Sequence, residues 1–234
     1  DSSSSIASSS SQQQSSSGTG SSEGSFVYEG QTYKTVKIGT QTWMAENLNY
    51  AVDGSKCYNN LESNCNDKKY GRLYDWSTAM GFKTACNSYL ISNANCGETI
   101  GVPHKGICPS GWHIPTNADW DALYRYADGT SGTSSPYESP TAGKHLKAEE
   151  GWTSCSASGS SYSCLDTHGF AALPGGYGYS DGSFDNAGNY GGWWSASEYN
   201  ANYAYSRSMR YNAEGAYWNY NYKSGLQSVR CLQD

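Results

Sequence analysis

Tyr203-Ala204-Tyr205-Ser206-Arg207-Ser208-Met209-Arg210-Tyr211-Asn212-Ala213-Glu214-Gly215-Ala216-Tyr217-Trp218-Asn219-Tyr220-Asn221-Tyr222 is the stretch on which the fold class turns. Residues 203–211 alternate, so Tyr203, Tyr205, Arg207, Met209 and Tyr211 share one face of a strand and Ala204, Ser206, Ser208 and Arg210 the other. Residues 216–222 alternate too, with Ala216, Trp218, Tyr220 and Tyr222 together. If Asn212-Ala213-Glu214-Gly215 is a four-residue hairpin loop, Tyr211 pairs with Ala216, Met209 with Trp218, Arg207 with Tyr220 and Tyr205 with Tyr222. The aromatic faces then coincide. The opposite face matches Ser208 with Asn219 and Ser206 with Asn221, as expected of a solvated side, and a slip of one residue would scramble both. Arg207 is the odd member of the aromatic face: it either stacks its guanidinium on Tyr220 or Trp218 or reaches a ligand.

Upstream, Phe26–Tyr28 and Tyr33–Ile38 read as short strands separated by Glu29-Gly30, and Gly39-Thr40 turns the chain into Trp43, Met44 and Leu48. Apolar residues at helical spacing over Leu73–Met80, stopped by Gly81, predict a short helix. A second helix follows Pro115. There Thr116 is the N-cap with Asp119 at N3, and Trp120, Leu123, Tyr124 and Ala127 form a stripe ending before Gly129, with Trp120 and Leu123 facing the core. A further turn of helix is expected within Lys144–Glu150, then strand-like sequence from Gly169 to the end. The expectation is one α+β domain over residues 26–234, with two early helices and a twisted antiparallel sheet late.

Residues 1–25 contain 14 Ser, three Gln and three Gly with a single Ile, too little apolar area to offset chain entropy. They read as a flexible linker, serving as a tether or as an inert leader. The whole chain carries 21 acids against 15 bases, and its aromatics comprise 21 Tyr, 8 Trp and 4 Phe. That balance argues against a phosphate-tracking surface, so nucleic acid is set aside as a partner. No run approaches the roughly 18 apolar residues of a membrane span, and no basic-flanked apolar segment opens the chain, so it reads as soluble and already processed.

The eight cysteines form an even set without a Cys-x-x-Cys, which points to disulfides in an oxidising compartment rather than zinc or thiol chemistry. The protein is expected outside the cell or on a bacterial outer surface. Eight cysteines allow 105 pairings. Short spacings suggest Cys57 with Cys65, Cys86 with Cys96 and Cys155 with Cys164, leaving Cys108 and Cys231 for one long-range bridge; free buried cysteines are the alternative.

Seven segments together resemble one family: Tyr33–Gly39, Gln41–Leu48, Tyr70–Tyr74, Cys108–Thr116, Gly169–Gly176, Trp193-Trp194-Ser195 and Val229-Arg230-Cys231. From about Tyr33 to Asp234 the chain is similar to the Fibrobacter succinogenes major paralogous domain, a family of bacterial surface and secreted proteins. The Ser-rich leader also resembles the linkers such proteins carry. The closing pattern of that family is similar to the C-type lectin-like fold, which implies a Cys108–Cys231 bridge and, by the usual supposition, adhesion or carbohydrate binding. Calcium-dependent lectins use a Glu-Pro-Asn or Gln-Pro-Asp loop and a Trp-Asn-Asp strand. Here Glu198-Tyr199-Asn200 and Trp218-Asn219-Tyr220 stand instead, so the lectin calcium site is expected to be missing. The fold is also similar to that of formylglycine-generating enzymes, whose reactive cysteines have no counterpart if all eight are bridged.

Between Tyr177 and Tyr222 there are 14 aromatics in 46 residues, interleaved with Asn, Ser, Asp and Gly. Aromatic faces stack on pyranose C–H surfaces while amides bind hydroxyls. Tyr177, Tyr179, Tyr199 and Tyr203, with Asn200 and Arg207, are the ligand-binding candidates; Trp193 and Trp218 read as core. Asp181, Ser183 and Asp185 alternate oxygen ligands as calcium loops do but lack the later glycine and the distal Glu, so an Asx-rich turn is preferred to calcium, and no cofactor is expected. His104, His113, His145 and His168 have no metal-like spacing, and His113 reads as structural. Glu46, Glu149, Glu150 or Asp166 could serve a hydrolase, but nothing in their context marks a pair, and Glu46 reads as a buried hydrogen-bonding strut. The expectation is a non-catalytic extracellular module binding polysaccharide or glycoprotein. The alternative is an assembly subunit whose aromatic surface meets other surface proteins or a second copy.

Overall fold

Glu29 and Gly30 both have positive φ, 48° and 77°, and turn the chain between its first two strands, β1 (Glu23–Tyr28) and β2 (Gln31–Ile38). Two left-handed residues in succession match the twist of a two-residue hairpin. The computed structural model describes residues 23–130, 136–155 and 162–234; residues 1–22 of the expected linker lie outside it. Because β1 starts at Glu23, the folded part begins before the expected boundary at residue 26.

The chain continues through β3 (Gln41–Met44), α1 (Glu62–Asn66), β4 (Leu73–Tyr74), α2 (Trp76–Met80), β5 (Trp112–His113), α3 (Asn117–Asp128) and α4 (Ala142–Leu146). Then come β6 (Tyr177–Gly178), β7 (Phe184–Asp185), β8 (Tyr190–Glu198), β9 (Tyr203–Arg210), β10 (Ala216–Tyr222), β11 (Gln227–Ser228) and β12 (Leu232–Gln233). Two five-stranded sheets result, ordered β1-β2-β3-β12-β5 and β10-β9-β8-β11-β4, with β6 and β7 as a separate pair. The fold is sheet-rich with few helices, and no helix among the described residues is long and apolar enough to cross a membrane.

Of the expected helices, α3 forms as read. The Thr116 Oγ1 accepts from the Asp119 N–H, the Asp119 carboxylate accepts from the Thr116 N–H, and Gly129 closes the helix with φ 71°. The helix expected over Leu73–Met80 shortens to α2. Leu73 and Tyr74 instead pair with Ser228 and Gln227, and Asp75 caps α2 by accepting from the Thr78 N–H at 2.8 Å. All four expected disulfides form, and Cys108–Cys231 joins residues 123 apart. Four bridges are compatible with an extracellular location.

Two clusters of buried side chains fill the molecule, and β8 serves both. Trp193 and Trp194, pointing oppositely, enter one cluster each: Trp193 joins Trp43, Trp120, Leu123 and Phe170, and Trp194 joins Met44, Tyr74, Trp76 and Val229. Neither indole N–H is left unpaired, since Trp193 donates to Asn47 Oδ1 and Trp194 to the Tyr74 carbonyl.

The β9–β10 hairpin keeps its expected faces but not its register. Met209 pairs with Ala216, Arg207 with Trp218, Tyr205 with Tyr220 and Tyr203 with Tyr222, a slip of two residues that lengthens the loop. Tertiary contacts decide this. Ala216 exchanges backbone hydrogen bonds with Ser139, Tyr211 donates to the Asn189 carbonyl, and the buried Lys147 ammonium donates to the carbonyls of Arg210 and Ala213. Asn219 and Asn221 still reach Ser208 and Ser206 diagonally, at 2.8 and 2.7 Å. The face expected to be solvated is largely covered, with Ala204, Ser206 and Ser208 all buried.

Arg207 is the principal correction. It neither stacks on an aromatic ring nor reaches the surface, because α3 covers its end of the hairpin: it is 0% exposed and donates to Asp121 at 2.9 Å and to Asn117 Oδ1 at 3.1 Å. Arg207→Ala should therefore cost about 3–5 kcal/mol in urea unfolding, because it strands the buried Asp121 carboxylate, while Arg207→Met with Asp121→Leu recovers most of that loss. A ligand-contacting arginine would instead tolerate Ala in the unfolding experiment.

His113 has the structural role expected of it. Its Nδ1 lies 2.7 Å from Asp234 and its Nε2 3.5 Å from Asp119. Burial disfavours its charge, but hydrogen bonds to Asp119 and Asp234 outweigh that and raise its pKa above 6.5. A raised folded pKa gives stability that is full below the unfolded value and fades as pH rises through the folded one. The melting temperature of the wild type should accordingly fall over that window by more than that of His113→Gln; parallel curves would refute the linkage.

Candidate functional site

Where α3 stops covering the hairpin, its aromatic face opens to solvent. Tyr205 pairs with Tyr220 and Tyr203 with Tyr222 across the strands, and Tyr199 folds back from the preceding turn. The rings form one connected surface. Tyr199 stacks on Tyr220 at 4.5 Å and 8°, Tyr203 lies 4.3 Å from Tyr222, and Tyr205 meets Tyr199 edge-on and Trp218 at 5.9 Å. Tyr199, Tyr220 and Tyr222 are 46%, 47% and 60% exposed, a concentration of exposed ring surface that a soluble domain carries at a cost unless it meets something.

Two devices hold this surface. In the first, Asn200 Oδ1 accepts from the N–H groups of Asn202 and Tyr203 at 2.9 and 3.0 Å, an Asx turn that aims Tyr199 back over β10. In the second, Lys223, directly after Tyr222, donates to Glu198 at 2.6 Å and to the carbonyls of Cys86, Tyr89 and Ala201. Burial lowers the Lys223 pKa, and the Glu198 carboxylate opposes that shift. Tyr203 has a pKa raised first by its hydrogen bond with Tyr222, so its hydroxyl is neutral at physiological pH.

Of the ligand-binding candidates, Tyr199 and Tyr203 thus belong to the surface, Asn200 commits its side-chain oxygen to the turn beneath, and Arg207 is buried. Tyr177 and Tyr179 lie elsewhere, on and beside β6. They meet edge-on at 5.3 Å, and burial, then the hydrogen bond to Tyr179, pushes the Tyr177 pKa up to about 12. Trp218, read as core, is half-buried within the aromatic surface. Tyr205, Trp218, Tyr220 and Tyr222 were missed as site residues, although their alternation placed them on the right face.

Asp181, Ser183 and Asp185 form local turns. Asp181 Oδ1 accepts from the Ser183 N–H and hydroxyl, and Asp185 Oδ1 accepts from the Asn186 N–H. The Asp181 contact with the Ser183 N–H has the spacing of an Asx turn. The metal-like grouping found among the described residues is Cys57, Glu62 and Cys65, whose sulfurs are bridged to each other and so offer no thiolate. Glu46 and Asp166 line one cavity of about 590 Å3. Burial pushes Asp166 up to about 6 against the hydrogen bond from the Ala171 N–H, and Glu46 accepts from the Lys34 N–H at 3.0 Å, as a strut does.

A family model described as the Fibrobacter succinogenes major domain matches residues 36–233. The chain belongs to this family. No curated protein and no solved structure matches it. In this major domain the quoted motifs contribute to the core, whereas the exposed Tyr199, Tyr220 and Tyr222 and the half-buried Tyr203 and Tyr205 fall between motifs.

Asn200→Asp should keep the turn, because only an acceptor oxygen is used, whereas Asn200→Ala should cost about 1 kcal/mol in chemical unfolding. Equal stability of the two variants would show that the turn does not depend on that oxygen.

Proposed function

We propose that this major domain is a non-catalytic extracellular binding module of C-type lectin-like fold that contacts polysaccharide or glycoprotein through its exposed aromatic face. The observation that carries the reading is the continuous surface of Tyr199, Tyr203, Tyr205, Trp218, Tyr220 and Tyr222 on a rigid hairpin. Ring faces stack on the C–H surfaces of sugars, and phenol hydroxyls both donate to and accept from sugar hydroxyls. Such a face needs no cofactor. The fold assignment draws support from the pairing of β12 with β3 and β5, which brings the chain's end beside its early strands, and from the Cys108–Cys231 bridge at that junction. The Ser-rich residues ahead of β1 would tether the domain to a bacterial outer surface.

Purified full-length protein should be retained on at least one of insoluble cellulose, xylan and chitin. Tyr199→Ala/Tyr220→Ala and Tyr203→Ala/Tyr222→Ala should each weaken retention at least tenfold, about 1.4 kcal/mol. A protein that ignores all three polymers and elutes as an oligomer, with the same variants eluting as monomers, would replace this reading with the assembly-subunit one.

A further inference from the structure

Behind the aromatic face, on the other side of the same hairpin, lies a cavity of about 380 Å3. Strand alternation puts Asn219 and Asn221 here, because Trp218, Tyr220 and Tyr222 point the opposite way. Arg210, Gln227, Asn189 and Tyr190 complete the part of the wall that matters for chemistry. The volume suits a small ligand.

Two buried acceptors at this wall have no partner. Gln227 is 3% exposed, and neither its Oε1 nor the Oδ1 of Asn189 receives a hydrogen bond. An unpaired buried acceptor costs about 1–3 kcal/mol, so a pair of them at one cavity calls for a donor from outside the protein. The backbone makes room for the arrangement. A Cβ at Gly192 would stand 2.1 Å from Gln227 Oε1 and 2.7 Å from the Tyr190 ring, so any residue but glycine there would displace the amide. Asn219 and Asn221 spend amide hydrogens on Ser208 and Ser206, which leaves their carbonyl oxygens as further acceptors.

The charge of the wall is equally specific. Arg210 is the one charged residue that lines the cavity, and no carboxylate joins it. Its guanidinium lies 5.5 Å from the centre of the Tyr217 ring and makes no ion pair among the described residues. Acceptors take hydroxyl donors, and an exposed guanidinium with no ion pair is free to take an anion, ideally a planar carboxylate. We propose that this cavity binds a uronic acid residue, whose hydroxyls donate to Gln227 Oε1 and Asn189 Oδ1 while its carboxylate pairs with Arg210. The site does not depend on the aromatic face, and a domain that retains no polymer through its tyrosines would still hold a uronate here.

Titration of the full chain with sodium glucuronate and sodium galacturonate, followed by calorimetry or ligand-observed NMR, tests this against glucose and sodium acetate. At least one uronate should bind saturably and more tightly than glucose or acetate. Arg210→Gln, at an exposed position that leaves the core intact, should weaken that binding at least tenfold. Gln227→Met, which keeps the side-chain length and removes the acceptor, should weaken it too, whereas Tyr199→Ala/Tyr220→Ala should leave it unchanged. The proposal is overturned if neither uronate binds, if glucose or acetate binds equally well, or if Arg210→Gln binds like the wild type.

Discussion

A buried guanidinium organises this domain. Arg230 is 0% exposed, donates to Asn47 Oδ1 through Nη2 at 2.8 Å and to the carbonyls of Phe170 and Ala171, and lies 4.2 Å from the centre of the Phe170 ring. Asn47 Oδ1 also accepts from the Trp193 indole at 2.8 Å, and its Nδ2 donates to the Tyr70 carbonyl. Taking a charge out of water is expensive, and burial holds the Arg230 pKa below its usual value, so the site persists only while every donor finds an oxygen. Those oxygens come from segments near residues 47 and 170, and the same asparagine ties in residues 70 and 193. Five of the seven motifs therefore meet at one charge. Their wide separation in sequence reflects a requirement to satisfy one cation from several sides.

That hub fixes β8, and β8 fixes what the hairpin can do. With Trp193 and Trp194 anchored in opposite clusters, β9 and β10 extend from a strand that cannot rotate. Along β9 the same face changes character within a few residues. Met209 lies in the core, Arg207 is sealed by the Asp121 and Asn117 side chains of α3, and Tyr205 and Tyr203 are partly in water. The exposed aromatic face is the portion of a core-like face that the helix is too short to cover.

This explains which parts were legible in the sequence. Local chemistry was: Thr116 and Asp119 announce the start of α3, the Glu29-Gly30 turn separates two alternating strands, and cysteines 8 to 10 residues apart pair with each other. The hairpin faces were legible and its register was not, because a slip of two residues preserves every face and tertiary contacts from Lys147, Ser139 and Asn189 distinguish the alternatives. The fate of Arg207 hung on Asp121, 86 residues away. Trp218 was misjudged for the same reason, since the edge of a helix's cover is a tertiary fact. The cavity behind the hairpin, gathered from β8, β9, β10 and β11, left no local trace.

The disulfides enter this logic through the loops more than through the sheets. Cys86–Cys96 closes a loop in which the Ile91 N–H donates to the Glu198 carboxylate and the carbonyls of Cys86 and Tyr89 receive the Lys223 ammonium. Lys223 also pairs with Glu198, so one buried cation joins the bridged loop to the residue before Tyr199 and the residue after Tyr222. A chain that opened this bridge would recover loop entropy at the expense of two of the four hydrogen bonds described on Lys223. An oxidised cysteine pair remote in sequence thus supports, through the Lys223 ammonium, the two segments that flank the aromatic face.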